Sequence, residues 1–306
     1  MDGILVATKP AGPTSHDVVA LVRRLAATKR VGHGGTLDPF ASGVLPLFLG
    51  RATKVVEYHL GDGKAYRATV CFGAASTTDD LEGELTPSSG RAPTLDEVAR
   101  VLPAFTGEIS QRPPAYSAIK VAGRRAYALA RAGEPVELPD RTVLIDRLEL
   151  IQWDDADASR PIGIFEVECS AGTYVRALAR DLGQAAGSAA YLGALSRTAS
   201  GPFTLEQATP VDDLRAAAAD GPERLASLVL PVDAGLEALP EVSVGPADVV
   251  AIARGQFVRA AKPLGEGPVR VRDADGRLIA IARYRDGRLA PDKVLIDAPA
   301  PEPARA

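Results

Sequence analysis

The chain has 306 residues, 46% apolar and 24% charged, with a formal net charge of −4. That length allows about two domains of roughly 100–200 residues each, and the composition is ordinary for a soluble globular protein. No run approaches the ~18 consecutive apolar residues of a membrane helix, and Met1-Asp2-Gly3-Ile4 lacks the basic and apolar regions of a secretory leader, so a cytoplasmic protein is expected.

Residues 3–7 read as a short strand entering the turn Lys9-Pro10-Ala11-Gly12-Pro13. Thr14 and Asp17 have capping-box spacing. The helix they open runs to about Ala27, with Val18, Leu21, Val22 and Leu25 on one face. A glycine-rich loop, 31–36, leads to Leu37-Asp38-Pro39 and an apolar run at 44–49. Residues 64–73 alternate as a strand, placing Tyr66, Ala68, Val70 and Phe72 on one side. Segment 74–85 carries Asp79, Asp80, Glu82 and Glu84 without a base, and reads as a solvated loop.

Thr94 and Glu97 form a second capping box, opening a helix that ends near Leu102-Pro103. Strands at 142–150 and 162–170 precede a helix from Gly172 to Leu182. Strands outnumber helices without strict alternation, which predicts an α+β domain with a mixed or antiparallel sheet. The stretch 220–240, with Gly221-Pro222, Pro231 and Pro240, reads as a domain junction. Beyond it come a strand at 242–244, a helix from Pro246 to Arg254 and strands at 269–272, 278–284 and 294–297. Asp275-Gly276 and Asp286-Gly287 are hairpin turns. The expected organisation is a first domain over 1–235, a small β-rich domain over 236–298 and a disordered tail at 299–306.

A negative net charge is a poor property for an RNA binder, but charge distribution matters more than the sum. Between Gln111 and Arg131 stand Arg112, Lys120, Arg124, Arg125 and Arg131, with Tyr116 and Tyr127 among them and no acid. Such a stretch is either a solvated helix face or a nucleic-acid surface. Cys71 and Cys169 sit in apolar runs and read as buried free thiols. His16, His33 and His59 lack metal-ligand spacing, so the expected chemistry uses no metal. An Asp-Pro pair is most often a turn. Gly32-His33-Gly34-Gly35-Thr36-Leu37-Asp38-Pro39, however, puts a carboxylate and an imidazole on a loop of small residues that can approach a ligand closely. It has neither phosphate-loop spacing.

That segment, with Ala41-Ser42-Gly43-Val44-Leu45-Pro46 behind it, resembles the catalytic motif of the bacterial TruB-type tRNA pseudouridine(55) synthases. Lys9-Pro10-Ala11-Gly12-Pro13-Thr14-Ser15 is similar to the family's N-terminal signature, and Lys64-Ala65-Tyr66-Arg67 to its tyrosine strand. The run Gln111-Arg112-Pro113-Pro114-Ala115-Tyr116-Ser117-Ala118-Ile119-Lys120 resembles the start of its RNA-clamping insertion, here about 108–140. Cys169-Ser170-Ala171-Gly172-Thr173-Tyr174-Val175-Arg176 resembles its arginine motif. The small C-terminal unit is more loosely similar to a PUA-type RNA-binding domain. Gly34 stands where the family usually has threonine, Phe40 where leucine is usual and Ser42 where threonine is common.

The resemblance implies isomerisation of uridine 55 in the tRNA T loop, without a cofactor, an obligate protein partner or an oligomer. It implies Asp38 as nucleophile, Arg176 as its ion-pair partner, Tyr66 stacked on the base and helping to remove its C5 proton, and Tyr174 lining the pocket. His33 would fill the gap left by the extruded base, and Gly35 and Thr36 would line the loop against the substrate. Lys9, Lys120, Arg124 and Arg125 would contact phosphates. The competing readings are a non-catalytic RNA-binding or tRNA-folding protein, a cofactor-free hydrolase with Asp79 and Asp80 as its carboxylate pair, and a synthase acting on another RNA uridine.

Overall fold

A computed structural model describes residues 1–298 apart from 118, 122, 133 and 135–137, and excludes the side chains of Lys120, Val121, Arg125, Ala128, Ala130 and Arg131. The expected disordered tail at 299–306 thus lies outside the described residues.

Strand β1 (Gly3–Lys9) is buried along nearly its whole length, as its Ile4-Leu5-Val6-Ala7 run demands. It feeds α1 (Ser15–Leu25), where both halves of the Thr14/Asp17 capping box form and Val18, Leu21 and Val22 turn inward. The glycine-rich segment expected to be all loop begins as a strand, β2 (Val31–His33). Its backbone pairs with β3 (Ser42–Leu49), from Val31 opposite Leu49 to His33 opposite Leu47. β4 (Lys64–Phe72) alternates as predicted, with Ala68, Val70 and Phe72 buried. The second capping box opens α2 (Leu95–Val101).

Further elements of the N-terminal part include β5 (Gly107–Gln111), β6 (Arg141–Asp154), β7 (Ile162–Cys169), α3 (Val175–Ala185), β8 (Ala190–Ser200), β9 (Thr209–Pro210) and α4 (Val211–Asp220). The helix expected from Gly172 starts only at Val175, because residues through Tyr174 are held as its cap. β8 lacks a clean sequence signature: a register shift between Leu192 and Ala194 interrupts its alternation at Gly193.

These strands form one sheet in the order β9-β1-β3-β8-β4-β7-β6-β5. β1/β9 and β3/β8 are parallel and the other neighbours antiparallel, so the sheet is mixed and mostly antiparallel, as expected. α2 and α3 cover the β4/β7/β8 part through Val98, Leu178 and Leu182. α1 and α4 cover the β1/β3 part through Val18, Val22 and Leu214. The loop between β2 and β3 therefore emerges where two packed cores meet the middle of the sheet. Cys71 and Cys169 are free thiols, and burial raises Cys169 to about 11.

The C-terminal part holds a second sheet of β10 (Glu241–Ser243), β11 (Val258–Arg259), β12 (Gly267–Arg272), β13 (Leu278–Arg285) and β14 (Arg288–Val294), with α5 (Pro246–Ala253) beside it. Its order is β10-β12-β13-β14-β11. The last strand ends at Val294, so the strand expected at 294–297 is displaced toward the hairpin. Asp286 (φ 51°) and Gly287 (φ 74°) form a tight turn with two left-handed residues, which lets β14 begin at once. Ile281 and Leu295 pack with Phe48, Val55 and Leu236, joining this sheet to the N-terminal part. Among the described residues no helix is long and apolar enough to cross a membrane.

Candidate active site

Asp38 lies on the β2–β3 loop, and the residues on either side of it are pinned from the 9–15 segment. Buried Ser15 Oγ accepts from Leu37 N (2.9 Å) and donates to Leu37 O (3.1 Å). Pro39 O accepts from Gly12 N (2.8 Å) and Lys9 Nζ (3.1 Å). The Asp38 carboxylate is thus presented from a backbone fixed on both flanks. Ser15→Ala would leave the Leu37 amide and carbonyl buried without that partner. It is expected to lower stability by about 1–3 kcal/mol, read as a shift in the denaturant midpoint.

Lys9 corrects one expectation. Its side chain is fully buried, and Nζ donates to Pro10 O (2.9 Å), Pro13 O (2.7 Å) and Pro39 O (3.1 Å). All three ammonium donors are used, so Lys9 braces the loop and has none left for a phosphate. Burial pulls its pKa down to about 8, against the opposing pull of Asp38.

Arg176 projects from the first turn of α3. Its Nε stands 3.0 Å from Asp38 Oδ2 and its Nη1 3.2 Å from Asp80 Oδ2. Nη1 also donates to Thr78 O (3.1 Å) and Nη2 to Tyr116 O (3.0 Å). With 6% exposure the guanidinium has a fixed orientation, whereas the Asp38 side chain keeps 36%. Burial pushes the Asp38 carboxyl above the usual carboxylate range. Arg176 opposes that shift, Asp80 adds to it and Lys9 opposes it.

Tyr174, two residues earlier, is held by Gln111, whose amide donates to Tyr174 O (3.1 Å) and accepts from Tyr174 N (2.8 Å). Gln111 is fully buried, so β5 positions the start of α3 and with it Arg176. Arg141 lies over the Tyr174 ring at 6.0 Å.

Of the acidic segment expected to be solvated, Glu82 and Glu84 are exposed, but Asp79 and Asp80 are folded into the site. The Asp80 side chain is 4% exposed, accepting from Thr78 Oγ1 (2.5 Å) and Glu82 N (3.0 Å). Asp79 adopts φ 61° and pairs with Arg180 at 2.8 Å. Two arginines of α3, the buried Arg176 and the partly buried Arg180, draw these carboxylates in, because a buried cation is tolerated chiefly when paired. The two aspartates therefore serve as counter-ions, and neither is left free as one of a hydrolytic pair.

Tyr66 is partly buried on β4, and burial raises its hydroxyl. Directly opposite it on β8 is Arg197, 1% exposed, with Nε donating to Val44 O (2.7 Å) and Nη2 to Gly35 O (3.1 Å). Gly35 takes φ 121°, a left-handed conformation that favours glycine. Thr36 is exposed at the loop tip.

His33 is partly buried and meets His16 edge-on at 6.4 Å. Burial first, then the charges of His16 and Arg197, holds its pKa down. Gly34 has a local reason to be glycine: a Cβ there would sit 3.0 Å from Phe48 Cε2. A threonine at that place would require Phe48 to move.

The structure thus brings Asp38, Arg176 and Tyr66 to one face, with His33 at the end of β2 and Gly35, Thr36 and Tyr174 on the loops bordering it. Arg124 is apart, on the insertion, in a two-bond pair with Glu134 (2.9 and 2.8 Å). The side chains of Lys120 and Arg125 lie outside the described part. Sequence reasoning assigns no role to Arg197, Ser15 or Gln111, and gives Asp80 one only in the hydrolase alternative. Ser15 and Gln111 belong to motifs that were singled out, whereas Arg197 stands on the strand that had no clean signature.

Comparison with known proteins follows this geometry. The profile described as TruB family pseudouridylate synthase (N terminal domain) matches residues 23–175. Those for the tRNA pseudouridylate synthase B C-terminal domain and for the C-terminal part of pseudouridine synthase II TruB match 176–237 and 240–295. The tRNA pseudouridine synthase B of Bradyrhizobium diazoefficiens is 46% identical over 95% of this chain and 85% of its own. That of Pseudomonas aeruginosa is 42% identical over 96% of both chains. Among solved structures, a chain of an H/ACA ribonucleoprotein bound to a substrate RNA containing 2′-deoxyuridine matches with a TM-score of 0.72 and 26% identity. It covers 97% of this chain and 86% of the other.

Proposed function

The chain belongs to the TruB family of pseudouridine synthases, and from that premise we propose that it isomerises uridine 55 in the T loop of tRNA to pseudouridine, with Asp38 as nucleophile. The observation that supports this reading most is the half-exposed Asp38 carboxylate held 3.0 Å from the buried Arg176 guanidinium. The reaction breaks the bond between N1 and C1′, turns the base and joins C1′ to C5. One proton leaves C5 and one is gained at N1, so atoms balance and no oxidation state changes overall. What the site must supply is an ionised nucleophile in a fixed place. Attack at the sugar C1′ or at the base C6 gives the same product.

Uridine in a folded loop must leave the stack before Asp38 reaches it. We assign His33 to the gap it leaves, Tyr66 to stacking on the extruded base, and Tyr174, Gly35 and Thr36 to the pocket wall. We assign 1–235 to the catalytic domain, with 108–140 as the RNA clamp, and 236–298 to a PUA-like RNA-binding domain. The working form is a cytoplasmic monomer acting on tRNA without an obligate protein partner. The test is tritium release from a tRNA transcript labelled at uridine C5, in which one label per tRNA is expected. Bound tRNA without release would refute the assignment.

Lys120, Arg124 and Arg125 are the assigned phosphate contacts. Arg124 and Glu134 are both exposed, and a surface pair of this kind contributes little because solvent screens it. A tRNA phosphate can therefore displace Glu134. Arg124→Gln with Arg125→Gln is expected to weaken binding and reduce the slope of log K against log salt by up to about two. An unchanged slope in filter binding would place the RNA elsewhere.

A further inference from the structure

Arg197 is a buried guanidinium with 1% exposure, and among the described residues no carboxylate pairs with it. The other buried arginine of the site, Arg176, has two such partners. An unpaired buried charge is costly, so its surroundings should show what it is for. Its Nε and Nη2 bind Val44 O and Gly35 O, the carbonyls that bracket the Asp38 loop. Its cross-strand neighbour is Tyr66, whose hydroxyl the guanidinium acts on electrostatically. One fork thus ties both ends of the nucleophile's loop to the strand position directly opposite Tyr66.

We propose that Arg197 is a positioning residue for proton removal at C5: its guanidinium holds the Tyr66 oxygen in place and favours that oxygen as proton acceptor. This rests on the reaction assigned above. Once C1′ has joined C5, that carbon still carries its hydrogen. The Tyr66 oxygen, as phenolate, takes it as a proton. The electron pair left behind restores the C5–C6 double bond, and N1, freed of the sugar, ends with one proton. The phenol then returns its proton to water.

A neutral phenol cannot act as this acceptor, and burial disfavours the anion. Of the charged and titratable groups facing Tyr66, Asp38 from the loop and Cys169 from β7 disfavour the anion as well, and Arg197 from β8 favours it. Around Arg197 stand Lys9, His33 and Lys64, each held toward its neutral form in part by the guanidinium. Arg197 itself remains charged across the working range.

The test uses the full chain and tRNA transcripts carrying hydrogen or deuterium at uridine C5, in single turnover. Arg197→Gln is expected to slow product formation about 10²-fold, with tRNA affinity within about threefold. It should enlarge the C5 deuterium isotope effect and move the rise of rate with pH to higher pH, while Arg197→Lys recovers about tenfold of the loss. An isotope effect equal to that of the parent chain, or no slowing, would overturn the proposal. If Arg197→Gln fails to fold by circular dichroism, Arg197→Lys carries the test. It keeps the charge and loses the fork, so its isotope effect must still exceed the parent's, and equality overturns the proposal. Absence of product from the parent chain would refute the assigned reaction, which is a separate result.

Discussion

Asp38→Asn is expected to lower pseudouridine formation by more than about 10⁴-fold while leaving tRNA affinity within about tenfold. The amide keeps the size of the side chain and its place between the pinned Leu37 and Pro39, but it has no ionised oxygen with which to attack. The phosphate contacts that carry most affinity lie elsewhere. Single-turnover product formation and filter binding on the same tRNA separate the two quantities, and retained turnover would remove Asp38 from the nucleophile role.

The pH dependence of the parent chain follows from the same residue. Burial raises the Asp38 carboxyl above its ordinary value of 3.8. The acid limb of the rate should therefore fall away at a pH above that value, as the carboxylate takes up its proton. The stability consequence has a definite sign. In the window between 3.8 and the raised folded value, the folded chain binds more protons at this site than the unfolded one. Its contribution to stability falls as pH rises through that window and is lowest above it. Asp38→Asn removes this penalty, so its thermal midpoint at neutral pH should not lie below the parent's. A lower midpoint would show that the pair with Arg176 outweighs the cost of burial.

Arg176→Met is expected to reduce turnover by about 10³-fold or more, on the scale of losing a fixed charge-stabilising group, and to destabilise the fold by about 3–5 kcal/mol. Arg176 serves Asp38, Asp80, Thr78 O and Tyr116 O together, with its guanidinium 6% exposed. Without it the Asp38 and Asp80 carboxylates lose the cation they share. Asp38 then moves further toward its neutral form, so the residual activity of the variant should have an acid limb displaced to higher pH. Arg176→Lys separates charge from shape. A lysine carries the charge but cannot span the four acceptors, so it should regain stability before it regains rate. Equal recovery of both would mean that charge alone matters.

The reaction class and much of the local structure were legible in the sequence because each rests on residues close together in the chain. Capping boxes at Thr14/Asp17 and Thr94/Glu97 form within one helical turn, and the Asp286-Gly287 hairpin within two residues. The Gly32–Pro39 segment carries its resemblance in eight consecutive positions. What remained hidden depends on partners distant in the chain. The order β3-β8-β4 sets Arg197 beside Tyr66, more than a hundred positions away, and an irregular strand with a glycine gave little warning of it.

Lys9 is expected from the resemblance to contact phosphate and proves to be a buried brace, because the fold lays three carbonyls around its ammonium. Asp79 and Asp80 read as a solvated acidic run and prove to be counter-ions, because α3 brings Arg180 and Arg176 against them. The sequence by itself determined which chemistry this chain carries, since that is written in residue types at short spacing. Only the tertiary structure decided which charges are spent inside the protein and which remain for the substrate, since burial and pairing are properties of segments that meet in space.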